Sequence, residues 1–207
     1  LKEHIVSAAA NYSRTFAFDR ISPMLKAGAY GEYRTRAYTT RSFIYGELPA
    51  SMRYADMPEL LSDASNYGPD KLYLIEEVKW RNNYDGNNTL AAAYASVNIP
   101  FGKFNIYAGV RFEHDRMELV SNTQDHQKSP TSTYYTFNDF FPSVNATYHL
   151  TDKQQLRLAY GKSVNRPEFR EVSSSVFYDF DLSGNIQGNP NLTACYVHNV
   201  DLRYELY

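Results

Sequence analysis

Apolar and polar side chains alternate with a period of two along most of this chain, the spacing of strands with two unlike faces. From Phe104 the even positions are Phe104, Ile106, Ala108, Val110 and Phe112, and the odd ones are Asn105, Tyr107, Gly109, Arg111, Glu113 and Asp115. Residues 25–45 set Leu25, Ala27, Ala29, Gly31 and Tyr33 against Lys26, Gly28, Tyr30, Glu32, Arg34 and Arg36. Near the end, Val200, Leu202, Tyr204 and Leu206 alternate with Asn199, Asp201, Arg203 and Glu205. Residues 6–16, 140–150 and 154–163 follow the same rule, and 89–99 follows it weakly because it is mostly alanine. The pattern predicts an all-β chain of about seven strands.

The connections alternate too. Those at 18–23, 100–103 and 151–153 are short and carry turn residues, whereas 47–88, 121–138 and 164–194 are long. Short turns at one end and long loops at the other describe an antiparallel up-and-down transmembrane β-barrel. Alternation over residues 25–45 exceeds the ~5–6 residues usual in soluble strands, while a tilted membrane strand needs ~9–11. The apolar faces are thin in Leu and Ile and rich in Ala, Val, Tyr and Phe, which suits lipid contact with aromatic girdles better than a sandwich core. A soluble all-β ligand-binding module remains the alternative reading of the same alternation.

Energetics assigns the faces. An Arg or Lys facing lipid at the midplane costs ~2–4 kcal/mol, against a domain stability of ~5–15 kcal/mol. Lys26, Arg34, Arg36, Arg111, Arg157 and Arg203 are therefore expected to point into a watery lumen. Glu32, Glu113, Asp201 and Glu205 share those faces, and structural ion pairing along the lumen wall is expected of them.

Composition sharpens the picture. The 207 residues include 19 Tyr and 12 Phe against 1 Trp, too aromatic for a disordered chain. A net charge of -2 gives no bulk attraction to nucleic acid. The chain begins at Leu1 without a signal-peptide pattern, so it is expected to be a fragment. No common catalytic signature occurs, and no enzyme, cofactor or metal role is expected. Glu113-His114-Asp115 looks metal-like, but neighbours on a strand point to opposite faces. Residues 179–190 begin like a calcium loop and end on Pro190 where a bidentate Glu belongs. The single cysteine, Cys195, reads as an inert wall residue.

The candidate contact chemistry lies between strands. In Asn165-Arg166-Pro167-Glu168-Phe169-Arg170-Glu171, Pro167 ends ladder pairing, and the charges that follow suit a plug- or ligand-facing turn, with Arg166, Glu168 and Arg170 as candidates. Tyr178, Asp179, Asp181 and Asn185 follow, leading to Gly188-Asn189-Pro190. Such a mixture can stack on a sugar or other flat ligand, or pack on itself as a cover.

Several of these segments resemble TonB-dependent outer-membrane receptors, particularly those of Bacteroidetes. The run Gln155-Leu156-Arg157-Leu158-Ala159-Tyr160-Gly161-Lys162-Ser163-Val164 continuing through Asn165-Arg166-Pro167-Glu168-Phe169-Arg170-Glu171 carries the strongest likeness. Gly188-Asn189-Pro190-Asn191-Leu192, the stretch from His198 to Glu205, Asp139-Phe140-Phe141-Pro142-Ser143-Val144 and Tyr107-Ala108-Gly109-Val110-Arg111 are similar to the same family. Together they cover about half of the chain, and Thr193-Ala194 departs from a pattern closer to Lys-Pro. The resemblance implies a barrel of about 22 strands closed by an N-terminal plug. It implies import of an iron chelate, cobalamin or an oligosaccharide, driven by TonB pulling a peptide of the plug. On that reading residues 1–207 are a slice of barrel wall with external loops, in contact with outer-membrane lipid. Plug and TonB box lie elsewhere, and more strands follow, although the alternation closing on Tyr207 superficially resembles a terminal assembly signal. A structural or adhesive outer-membrane barrel without energised transport is the rival reading.

Overall fold

The computed structural model describes residues 1–19, 21–46, 56–68 and 71–207. Arg20 of the first short connection, and residues 47–55 and 69–70 of the first long one, lie outside the described residues. In chain order the elements are β1 (Lys2–Thr15), β2 (Met24–Tyr38), β3 (Ser42–Tyr45), α1 (Met57–Ser62), β4 (Leu74–Glu77), β5 (Tyr84–Phe101) and β6 (Phe104–Asn122). They continue with β7 (Pro130–Thr151), β8 (Gln154–Asn165), α2 (Phe169–Val172), β9 (Val176–Asp179), β10 (Gly184–Gln187) and β11 (Cys195–Leu206). Seven strands form one antiparallel sheet in the order β1-β2-β5-β6-β7-β8-β11, so consecutive wall strands are neighbours. β3 pairs with β4, and β9 with β10, as separate two-stranded hairpins at the long-loop end.

Register keeps each face uniform. Phe101 opposes Phe104, Phe104 opposes Tyr148, Tyr148 opposes Leu156, and Leu156 opposes Tyr204, making one outward aromatic row near the short turns. The Phe104 and Tyr148 rings stack at 4.5 Å. A second outward pair, Phe112 and Phe140, meets at 4.9 Å farther up β6 and β7. Between the rows β6 presents only Ile106, Ala108 and Val110 outward. Eight residues at ~3.4 Å rise, tilted ~40°, span roughly 20 Å, close to the ~25 Å apolar band of an outer-membrane barrel. Above Phe112 the same face turns polar: His114 Nδ1 lies 2.8 Å from Asn138 Oδ1, and the Tyr134 hydroxyl donates to Glu118 at 2.9 Å. A one-residue slip in any pair would turn the inner charges onto the lipid face, so burial in a membrane fixes the register.

Three sequence expectations are corrected. Residues 25–45 are not one strand: β2 stops at Tyr38, whose ring stacks on Tyr84 at 5.2 Å, and Thr40 N–H is drawn to Asn83 Oδ1 at 2.7 Å. The alternation runs on through Tyr45 because β3 is itself a strand, paired with β4. The connection 121–138 is mostly ladder, since β6 reaches Asn122 and β7 begins at Pro130. There the strands stand above the apolar band, so neither face needs to be apolar and the two-fold signal fades. The connection 164–194 contains α2, β9 and β10.

Pairing between β7 and β8 ends at Ser143 opposite Gly161, beside Pro142, which has no N–H to donate. Beyond it the side chains of Lys162 and Tyr196 reach inner-face partners. Lys162 Nζ lies 4.5 Å from the Tyr196 ring and 5.8 Å from that of Phe141, and the Tyr196 hydroxyl donates to Asp139 at 2.7 Å. The buried core is small and lies on the inner face at the long-loop end: Tyr84, Met117, Leu119, Phe169 and Val172, flanked by Tyr38 and Tyr135. It forms where the chain after β8 folds back onto the wall, not between two stacked sheets.

Candidate functional site

The strand β8 ends at Asn165 because Pro167 cannot continue a ladder, and the next residues turn across the inner face. Arg166 reaches wall carboxylates on two strands. Its Nη1 donates to Glu113 Oε2 at 2.7 Å and lies 3.4 Å from Asp115 Oδ2, while Nη2 donates to Asp139 Oδ2 at 2.8 Å. Each carboxylate has a second donor: Arg111 Nε on Glu113 at 2.7 Å, Asn88 Nδ2 on Asp115 at 2.6 Å, and the Tyr196 hydroxyl on Asp139. The Arg166 side chain is 14% exposed and that of Asp139 only 6%. Burial opposes the charged guanidinium, but Asp139 and Glu113 outweigh it and hold Arg166 protonated above its ordinary range. Its Nε is buried and meets no acceptor among the described residues.

Two residues on, Glu168 reaches the opposite side of the wall. Arg34 donates to both its oxygens at 3.3 and 3.1 Å, and Arg36 Nη1 lies 3.6 Å from Oε2. Glu3 of β1 binds Arg34 from the other side and accepts from Arg36 Nε at 3.1 Å. Both guanidinium carbons lie 5.5 Å from the Phe169 ring. That ring seats on Gly86 of β5, where a Cβ would come within 2.4 Å of Phe169 Cδ1. The Glu171 carboxylate accepts the Glu168 N–H at 2.9 Å and tightens the turn into α2. The segment is thus a strap, anchored at one end to β6 and β7 and at the other to β2.

The wall charges fall into two groups. Lys26, Glu32, Arg34 and Arg36 of β2 share the inner face with Arg111 and Glu113 of β6, and the strap joins Arg34, Arg36 and Glu113. Arg157, Asp201 and Arg203 share it on β8 and β11, away from the strap. Arg157 and Arg203 lie 3.6 and 3.4 Å from Glu205. Arg170 lies over Phe177 at 3.5 Å. Tyr178, Asp179 and Asp181 sit on the β9–β10 hairpin. Asp179 Oδ1 accepts the N–H groups of Asp181 and Leu182 at 2.9 and 3.0 Å, closing a turn completed by Ser183 at φ 49°. Tyr178 is half exposed and meets the Phe180 ring edge-on at 5.0 Å.

Sequence reasoning did not single out Glu3, Asn88, Asp139, Phe169 or Tyr196 as site residues, and it weighed Asp115 only within the metal-like trio with Glu113 and His114. Asp115 was marked by its odd position beside Glu113. Asp139 was hidden at the end of a segment read as strand only from Phe140 onward. Nothing in the linear order links Glu3 to Arg34, since β-pairing alone joins them.

Long antiparallel strands in consecutive order, an outward apolar band between aromatic rows and a charged inner face together make a wall of an outer-membrane β-barrel. Residues 63–207, more than half of the chain, match the outer membrane protein beta-barrel family, and the chain belongs to that family. Its place is the bacterial outer membrane, with lipid against the outward face, which replaces the soluble alternative. The fold is similar to the unliganded ferric citrate transporter FecA, with TM-score 0.52 and 18% identity over 79% of this chain and 20% of that one. It is similar to the closed form of the ferric-catecholate import receptor Fiu from E. coli K12, with TM-score 0.54 and 16% identity over 99% and 33%. The chain therefore spans a fifth to a third of the length of these structures. None of the curated proteins compared matches it.

Proposed function

We propose that residues 1–207 are wall and external loops of a receptor that imports a scarce small solute through a wide barrel closed by a plug, with energy from TonB. The carrying observation is the wall's inner face, which carries ion pairs suited to a water-filled lumen and is crossed by the strap that Arg166 and Glu168 anchor. A lumen wide enough to pass a solute leaks unless a separate domain fills it, and in this reading a plug and a TonB-contacting peptide belong to the same protein. In this reading Arg166 and Glu168 fix the strap to the wall, Arg170 supports the hairpin through Phe177, and Tyr178 and Asp181 face the incoming solute.

One observation favours the adhesive alternative. The β3–β4 hairpin exposes Phe43, Ile44, Tyr45, Leu74 and Ile75, an apolar patch of the kind that marks a contact surface. Growth of a deletion strain on iron chelates, cobalamin and glycans as limiting sources separates the two. A defect on one source, reproduced by removing TonB, is the expected result. Normal growth on every source would exclude import.

A further inference from the structure

The two anchors of the strap differ in kind. At the Arg166 end the closest bonds are 2.7 and 2.8 Å, to acids that are largely buried. At the Glu168 end the contacts stretch from 3.1 to 3.6 Å, and the Glu168 side chain is 53% exposed. The arginines it touches are not loose with it, since the side chains of Arg34 and Arg36 are only 20% and 16% exposed. Glu3 holds both from behind, through Arg34 Nε and through Arg36 Nη2 at 2.9 Å. The buried Phe169 ring, 5.5 Å from both guanidinium carbons, holds them from the side. Two guanidinium groups are thus fixed together by groups other than Glu168, and Glu3 balances only one of their two charges.

A cleft of about 150 Å³ opens beside Glu168, lined by Arg34, Phe169, Asn88, Glu32 and Asp115 among others. That is half of the ~300 Å³ at which sites for whole ligands begin, so it accepts one acidic group and not an entire solute. The acids along it are engaged: Glu32 accepts the Tyr30 hydroxyl, and Asp115 accepts the Asn88 amide at 2.6 Å.

We infer that Arg34 and Arg36 form a carboxylate-binding site and that Glu168 is its built-in occupant, displaced when a carboxylate-bearing molecule reaches the cleft. The incoming group takes over donation from Arg34 Nη1 and Nη2, fork to fork, with Arg36 Nη1 beside it. Glu168 turns out into water, a small loss because an exposed ion pair contributes little. The strap stays seated meanwhile through Phe169 and Arg166. A self-occupied site responds to a carboxylate held in the lumen at high local concentration and ignores dilute anions. The inference needs neither a plug nor TonB, and holds for an adhesive barrel as well.

The test is calorimetry on the full-length protein in detergent with succinate as the carboxylate probe, at ionic strength matched with sodium chloride. Glu168→Gln, which removes the competitor, should bind succinate about fivefold more tightly than the wild type and gain unfolding temperature on its addition. Arg34→Gln in that background should weaken binding at least tenfold. Arg34→Lys keeps the charge beside Glu3 and guards against misfolding; it too should bind more weakly, because a point charge lacks the fork. Unchanged electrophoretic heat-modifiability verifies that each variant assembles. Equal binding by the wild type and Glu168→Gln, binding untouched by both Arg34 variants, or no binding by Glu168→Gln overturns the site. Preference of Glu168→Gln for inorganic phosphate over succinate overturns its assignment to carboxylates.

Discussion

At the residue scale, Arg166 concentrates the electrostatics of the inner face, because Glu113, Asp115 and Asp139 converge on its guanidinium. Removing it leaves three largely buried carboxylates sharing only Arg111, Asn88 and Tyr196. Breaking a buried pair by deleting one partner costs about 3–5 kcal/mol, well beyond an exposed ion pair at ~0–1 kcal/mol. Arg166→Ala in the full-length protein should therefore free the strap, seen as new protease cleavage between β8 and β11 and a lower unfolding temperature. Arg166→Lys should recover little, since a point charge cannot reproduce donation from two nitrogens to carboxylates on two strands. Unchanged cleavage in Arg166→Ala would show that Glu168 and Phe169 hold the strap without it. The sequence marked Arg166 and Glu168 as charges out of place in a wall. It did not indicate that they anchor opposite sides, because Asp139 and Arg34 come together only once the sheet is laid out.

At the element scale, the strands inside the membrane were legible and those above it were not. Between Phe104 and Phe112 lipid on one side and water on the other impose alternation, and the register follows from it. Above Phe112 water lies outside as well, so Thr131, Thr133, Tyr134 and Thr136 form ladder without a two-fold signature. The break after Tyr38 was hidden for the opposite reason, since β3 resumes the alternation on a different partner. This division makes a prediction about faces. Ala108 points outward midway between the aromatic rows, and Asn145 points inward one register away. Ala108→Arg should cost ~2–4 kcal/mol and reduce the assembled, heat-modifiable barrel, while Asn145→Arg should assemble normally. Equal assembly of the two variants would reverse the face assignment.

At the scale of the whole molecule, the seven strands of residues 1–207 form a sheet that does not close on itself. β1 (Lys2–Thr15) and β11 (Cys195–Leu206) are its terminal strands, each paired on one side only. An edge of such length leaves about six or seven N–H groups and as many carbonyls without partners. In hydrocarbon each unsatisfied group costs several kcal/mol, so the two edges together exceed a domain stability of ~5–15 kcal/mol several times over. The small inner core around Phe169 cannot offset that. Residues 1–207 expressed alone should therefore aggregate or pair edge to edge in detergent, detected by size-exclusion chromatography with light scattering. Expression of the same residues within the full-length protein should instead give one heat-modifiable species. A monodisperse, protease-resistant monomer from residues 1–207 alone would mean that the seven strands satisfy their own edges, and the open-wall reading would fall with it.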